Sequence, residues 1–286
     1  MDNFFEFQMM AEVEPFFVFH GAGSDVSWSL ASNIAKVIKE QHENYDGFII
    51  THSLDNIVYT SSLLSFMIQN STKPIIFTAS VIPDETAKEF ISPRQGMYFG
   101  EFETLNLRAG LINTVQIATM DIAEIGIVIG NHLMRAVQFE PKWLAYNGCI
   151  DAERKSFLAK IQFGIHLASH ATKRSKGTPD FNLKYNGRIK AVSVYPDATL
   201  SNDFNDIDGI FIIAGQEQLV PSSWQLPANI PICAYSTGNN KKFNNIITCD
   251  SMVTEAAISK FVWTLGQSKN IKEIKKIMSK NIVGEY

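Results

Sequence analysis

Cysteine is scarce in this 286-residue sequence: Cys149, Cys233 and Cys249 are the only three. An odd number without metal-ligand spacing implies neither a disulfide framework nor a zinc site, and a reduced, cytoplasmic setting is the simplest expectation. Long apolar runs are also missing, and no stretch approaches the ~18–20 residues that a membrane-spanning helix requires. Nor is basic charge in excess. The chain has 25 Lys and Arg against 29 Asp and Glu, a net charge of −4, and a pI of about 5.9. That balance excludes the electrostatic footprint of a nucleic-acid binder. The first residues, MDNFFEFQMMAEVEPFF, are apolar but acidic and lack the basic flank and cleavage site of a secretion signal. Internal repeats and low-complexity tracts are absent as well.

What is present is an alternation. Short apolar runs predict strands over residues 16–19, 47–50, 73–78 and 125–129, and helical spacing predicts helices over 28–41, 56–70 and 104–117. Strands and helices in that order imply an α/β fold: a mostly parallel, doubly wound sheet with helices on both faces. Right-handed crossovers then bring the strand C-termini to one edge. Residues 153–168 read as a further helix. The stretch 169–188, SHATKRSKGTPDFNLKYNGR, is polar and holds Gly and Pro, so it is expected to link a larger domain, 1–168, to a smaller α/β domain, 189–286. In the second, strands are expected at 190–194, 210–213 and 231–234, and helices at 251–265, capped by Ser251, and at 271–280.

Chemistry-bearing residues cluster where the second strand ends, in Thr51-His52-Ser53-Leu54-Asp55-Asn56. Open α/β sheets place ligands at such strand ends. Thr51 and Ser53 are hydroxyls, yet no general base for either is evident, and turn hydrogen bonding explains both. Asp55 precedes a helical run, so it fits an N-cap as well as a ligand carboxylate. His52 fits a structural role, with acid–base work as the alternative. His20-Gly21-Ala22-Gly23-Ser24-Asp25 has the glycines of an anion loop, but a tight turn before a helix explains them equally.

The stretch DGFIITHSLDNIVYTSSLLSFMIQNSTKPIIFTASVIP, residues 46–83, resembles the type I, cytoplasmic L-asparaginases, in which it reads in outline DGFVI-x-HGTDT, then A-x-ALSFM and KPV-x-x-TGSQIP. TEAAISKFVWTLGQ and IMSKNIVGEY are similar to that family's ending, and TLNLRAGL and NHLMRA are weaker matches between. The resemblance covers most of the chain from Ser24 onward. It implies dimers or tetramers, no metal or other cofactor, and hydrolysis of a side-chain amide by a threonine nucleophile.

The resemblance also implies losses. The nucleophile's TGGTI loop has no counterpart, and the segment before Asp25 is expected to be too short for the family's first strand and loop. The second threonine, in HGTD, falls on Leu54, which has no atom able to attack or carry a proton. The serine that grips the substrate carboxylate falls on Gly23, with Ser24 adjacent. The carboxylate that holds the ammonium survives as Asp55. The proton-moving lysine falls on Lys142, in a segment one residue longer than the family's, and the glycine-rich turn of the smaller domain is replaced by Gly215-Gln216-Glu217-Gln218. The expected protein is a pseudoenzyme that keeps a small-molecule, amino-acid-like pocket and an oligomer interface. The alternatives are an amidohydrolase with Thr51 or Ser53 as nucleophile and a structural partner subunit without ligand.

Overall fold

A computed structural model describes residues 9–21, 23–79, 107–129, 131–140, 156–201, 203–214, 220–221, 223–235, 246–249 and 251–286. The first sheet has six strands. Phe48–His52 (β1), Ile75–Ala79 (β3) and Ile125–Ile129 (β4) run parallel, and a two-residue strand, Ile68–Gln69 (β2), lies between the first two in sequence. His132–Arg135 (β5), Phe157–Ile161 (β6) and Ile165–Leu167 (β7) then extend the sheet antiparallel, in the order β1-β3-β4-β5-β6-β7.

Alternation along the central strands sends residues to opposite faces. Ile75, Phe77 and Ile127 join the cluster beneath the helices Trp28–Gln41 (α1) and Ile57–Met67 (α2). Ile76 and Val128 face the other way, against Ile117 of Leu107–Ala118 (α3). Nearly all of α2 is buried, as expected for a helix that is apolar around its circumference. Its buried serines return their hydroxyls to the backbone, Ser65 Oγ to the Ser61 carbonyl at 2.8 Å for example.

The second sheet is wholly parallel. Ile189–Ser193 (β9), Gly209–Ile213 (β10), Ile232–Tyr235 (β11) and Ile246–Thr248 (β12) lie in the order β12-β11-β10-β9. Thr254–Gln267 (α4) covers one face, where Phe261 meets Phe211 at 6.0 Å between ring centroids. Ile271–Met278 (α5) follows. The same α4 also packs on α2, where the rings of Phe66 and Trp263 stack at 6.1 Å. One hydrophobic core therefore runs from the first sheet into the second half of the chain.

Three expectations are corrected. Residues 16–19 form no strand: they are irregular, and Phe17 is 97% exposed, with no strand paired to it among the described residues. The helix expected at 153–168 is, over its described part, the hairpin of β6 and β7, which turns at Gly164; antiparallel pairing with β5 overrides local helical spacing. The helix expected from 251 begins at Thr254, with Val253 rather than Ser251 at its N-cap. The polar stretch 169–188 is tied down. Asp180–Phe181 (β8) pairs with β2, and the Arg174 guanidinium donates to the carbonyls of Met120, Ala118 and Asp46. Among the described residues no helix is long and apolar enough to cross a membrane.

Candidate functional site

β1 delivers its C-terminus to the edge of the first sheet, where His52 pairs in register with Ala79. A single 3-10 turn, Leu54–Asn56, separates it from α2. A second 3-10 turn, Gly23–Asp25, precedes α1 and lies against the first. Asn56 Nδ2 donates to the Gly23 carbonyl at 2.7 Å and holds the two turns together. A Cβ placed on Gly23 would sit 2.6 Å from Ser53 Oγ and 3.2 Å from Asp55 Oδ2. Gly23, Ser53, Asp55 and Asn56 are thus one cluster, and glycine is required at 23 by close approach.

His52 is fully engaged. Nδ1 lies 2.7 Å from the Ser53 carbonyl, so it carries the proton, and Nε2 accepts from the Thr60 hydroxyl at 2.9 Å. Burial pulls its pKa below the ordinary value, partly opposed by the Ser53 carbonyl. The ring is a neutral pin between β1 and α2.

Leu54 packs against the hydrophobic core beneath α1 and α2. Ser53 Oγ is buried without a hydrogen-bond partner. Thr51 is exposed, and no base bonds its hydroxyl among the described residues. Ser24 spends its hydroxyl on the neighbouring Asp25 carboxylate at 3.3 Å. Asp55 is exposed and bonds no described residue; it caps nothing, because α2 has Asn56 at its N-cap and no side-chain cap bond. Lys142 and the replaced glycine turn at 215–218 lie outside the described residues. No group of acidic, histidine and cysteine side chains able to hold a metal occurs among the described residues.

Three roles escaped the sequence reading. Asn56 joins the turns, and Thr60 sets the histidine tautomer. Thr78 at the end of β3 has a buried hydroxyl without a partner, facing Gly110 of α3. Only the spacing of Thr60, eight residues beyond His52 in the first turn of a helix, offered a signal. The other two contacts join segments far apart in the chain.

Residues 1–89 match the family model described as asparaginase, N-terminal. The chain is 25% identical over 282 residues to an L-asparaginase of Thermococcus kodakarensis, spanning 88% of this chain and 79% of that one. It is 26% identical over 292 residues to L-asparaginase 1 of Escherichia coli, spanning 92% and 81%. It is 22% identical over 310 residues to the glutamyl-tRNA(Gln) amidotransferase D subunit of Thermococcus kodakarensis, spanning 96% and 67%. The thermostable L-asparaginase structure from Thermococcus kodakarensis matches with a TM-score of 0.74 at 19% identity, covering 99% of this chain and 90% of that one. L-asparaginase I from Vibrio cholerae matches with a TM-score of 0.67 at 22% identity, covering 93% and 83%. The fold is asparaginase-like.

Proposed function

We propose that this asparaginase-family chain, homologous to L-asparaginases and to the amidotransferase D subunit, no longer hydrolyses amides and acts by binding a small molecule through its ammonium group. One observation carries the reading. Leu54 stands where the resembling turn has threonine, and its half-buried side chain packs against the core beneath α1 and α2. Among the described residues neither the Thr51 nor the Ser53 hydroxyl meets a base: both ring nitrogens of His52 are spent, on the Ser53 carbonyl and on the buried Thr60 hydroxyl. Catalytic groups act as a unit, so such a loss costs orders of magnitude in rate.

Half of an amino-acid grip remains in this reading. Asp55 is exposed without a partner among the described residues, which leaves it able to pair with an ammonium. The carboxylate half is closed, because a side chain at Gly23 would overlap Ser53. Homodimers or homotetramers and a cytoplasmic setting belong to the same proposal, which is consistent with the free buried thiols of Cys233 and Cys249. The competing reading, an active amidohydrolase using Ser53, has one observation in its favour: that hydroxyl is buried, unpartnered and close to Asp55.

The test is ammonia release from asparagine and glutamine by the purified chain, for the wild type and for Leu54→Thr. Neither is expected to turn over. Sustained turnover by the wild type sinks the proposal, and turnover abolished by Ser53→Ala establishes the competitor. Calorimetry against amino acids and their amides, with Asp55→Asn as control, reads the binding. Silence across that panel favours a structural partner subunit.

A further inference from the structure

A cleft of about 360 Å³ opens beside the two turns, where the N-terminal ends of α1 and α2 meet β9 and α4. Ala31 and Ile258 form a buried floor, 1% and 5% exposed. The rings of Trp28 and Tyr59 stand edge to face in its wall, with centroids 5.9 Å apart and planes at 81°. Ile189 and Ala191 of β9 form the opposite side, with Ala191 exposed at the rim. Gly23, Leu54 and Asp55 do not line it, so it is a separate compartment from the strand-end cluster.

The polar groups of the cleft are few and none is charged. The Thr60 hydroxyl is committed to His52, and Ser27 Oγ shares a hydrogen with Ser29 Oγ at 2.7 Å. Asn56 spends Nδ2 on the Gly23 carbonyl, and its Oδ1 accepts nothing from the described residues. The Tyr59 hydroxyl likewise bonds no described residue, and burial with the nearby Glu255 carboxylate raises its pKa, so it keeps its proton. Two uncommitted groups, an acceptor and a donor, therefore remain in an otherwise apolar space.

We propose that this cleft binds a neutral small molecule built on a single aromatic ring with one hydrogen-bonding substituent. The volume lies in the range of small-ligand sites, roughly 300–1,000 Å³. Perpendicular aromatic walls present both a ring face and a ring edge, the two surfaces that attract another aromatic ring. A charged ligand is rejected on physical grounds, because it would lose hydration without gaining an ion partner. The substituent pairs with Asn56 Oδ1 or the Tyr59 hydroxyl. Occupancy would be felt at the strand-end cluster through Asn56, which holds Gly23.

The test uses the full chain and calorimetry or ligand-observed NMR with phenol, benzyl alcohol and benzamide as probes. Benzoate, benzylammonium and asparagine serve as charged comparators. Saturable binding of a neutral probe is expected, at least about tenfold tighter than any charged comparator. Ala191→Trp, at the exposed rim, closes the mouth and is expected to weaken binding by at least about tenfold. Ala31→Leu fills the floor and checks the same point from inside, with thermal unfolding confirming that each variant folds. Asp55→Asn leaves this binding unchanged, which separates it from the ammonium site proposed above. Absence of saturable binding by every neutral probe overturns the proposal. So does equal binding of charged comparators, or binding that survives both blocking variants.

Discussion

Two of the regions in which this molecule buries polar side chains have opposite outcomes. At the C-terminus, Lys260 and Glu285 form an ion pair at 2.5 Å with side chains fully buried. Lys260 Nζ also donates to the carbonyls of Met278 and Lys280, at 2.9 and 2.6 Å, and lies 4.8 Å from the centre of the Tyr286 ring. The Glu285 carboxylate accepts from the backbone N–H groups of Ile282 and Val283. Gly284, at φ 81°, provides the turn that lets Glu285 reach back. At the C-terminal edge of the first sheet, by contrast, the hydroxyls of Ser53 and Thr78 are buried without partners. Buried polar groups are normally satisfied, so an orphaned pair at a strand edge marks a place not optimised for stability alone. The clasp builds the fold, and the strand edge carries the candidate site.

The comparison breaks most severely at the clasp. Lys260→Met leaves the Glu285 carboxylate buried without its counter-ion, an expected cost of about 3–5 kcal/mol. Urea unfolding of the single variant should show this loss. A double variant, Lys260→Met with Glu285→Gln, should recover part of it, because no bare charge remains. If the single variant unfolds at the wild-type midpoint, the pair is not the fastening described here.

A smaller effect is expected at Gly23. Gly23→Ala puts a Cβ 2.6 Å from Ser53 Oγ and 2.8 Å from Ser53 Cβ. Overpacking of this kind costs about 1–3 kcal/mol. Ser53→Gly removes both atoms, so the double variant should unfold closer to wild type than the sum of the singles. Additive losses in that cycle would show that the two turns are not in contact in solution.

These two regions were unequally legible in sequence. The clasp lies in TEAAISK and IMSKNIVGEY, quoted for their resemblance, and pairing Lys260 with Glu285 needed only the fold. The parallel strands and their helices followed from apolar periodicity, because covered parallel strands are apolar throughout. β5, β7 and β12 were not anticipated: they are three or four residues long and are strands by virtue of their neighbours. Residues 16–19 failed the other way, apolar enough for a strand but with none beside them among the described residues. At the site, the sequence located the strand-end turn, which lies at the C-terminal end of β1. The mutual approach of Gly23 and Ser53 depends on a contact across 30 positions and had no local signal.

His52 offers a prediction in pH. Its folded pKa is lowered by burial, below the 6.5 of an ordinary histidine. The unfolded chain therefore takes up the proton first as pH falls, and stability present above about pH 6.5 is lost from there down to the folded value. His132 is shifted the same way, by burial and then by Lys160, and adds to the same slope. Thr60→Val removes the hydroxyl that donates to Nε2 and should cost about 1 kcal/mol at neutral pH. In His52→Gln the slope of stability between pH 6.5 and the acid side should flatten, with His132 left to account for the remainder. An unchanged slope would mean that His52 titrates normally and is not pinned between β1 and α2.

The smallest effect is the most informative about the strand edge. Ser53→Ala deletes a buried hydroxyl that has no partner. A satisfied hydroxyl would cost about 1 kcal/mol to remove, whereas an orphan costs nothing and its loss is neutral or stabilising. Equilibrium unfolding of Ser53→Ala should therefore give a midpoint at or slightly above wild type. The satisfied hydroxyl of Ser65, bonded to the Ser61 carbonyl at 2.8 Å, is the internal reference, and Ser65→Ala should fall below wild type. If Ser53→Ala is instead as destabilising as Ser65→Ala, Ser53 has a partner in solution. The edge would then be as well satisfied at that residue as the clasp, and the contrast between the regions would rest on Thr78 alone.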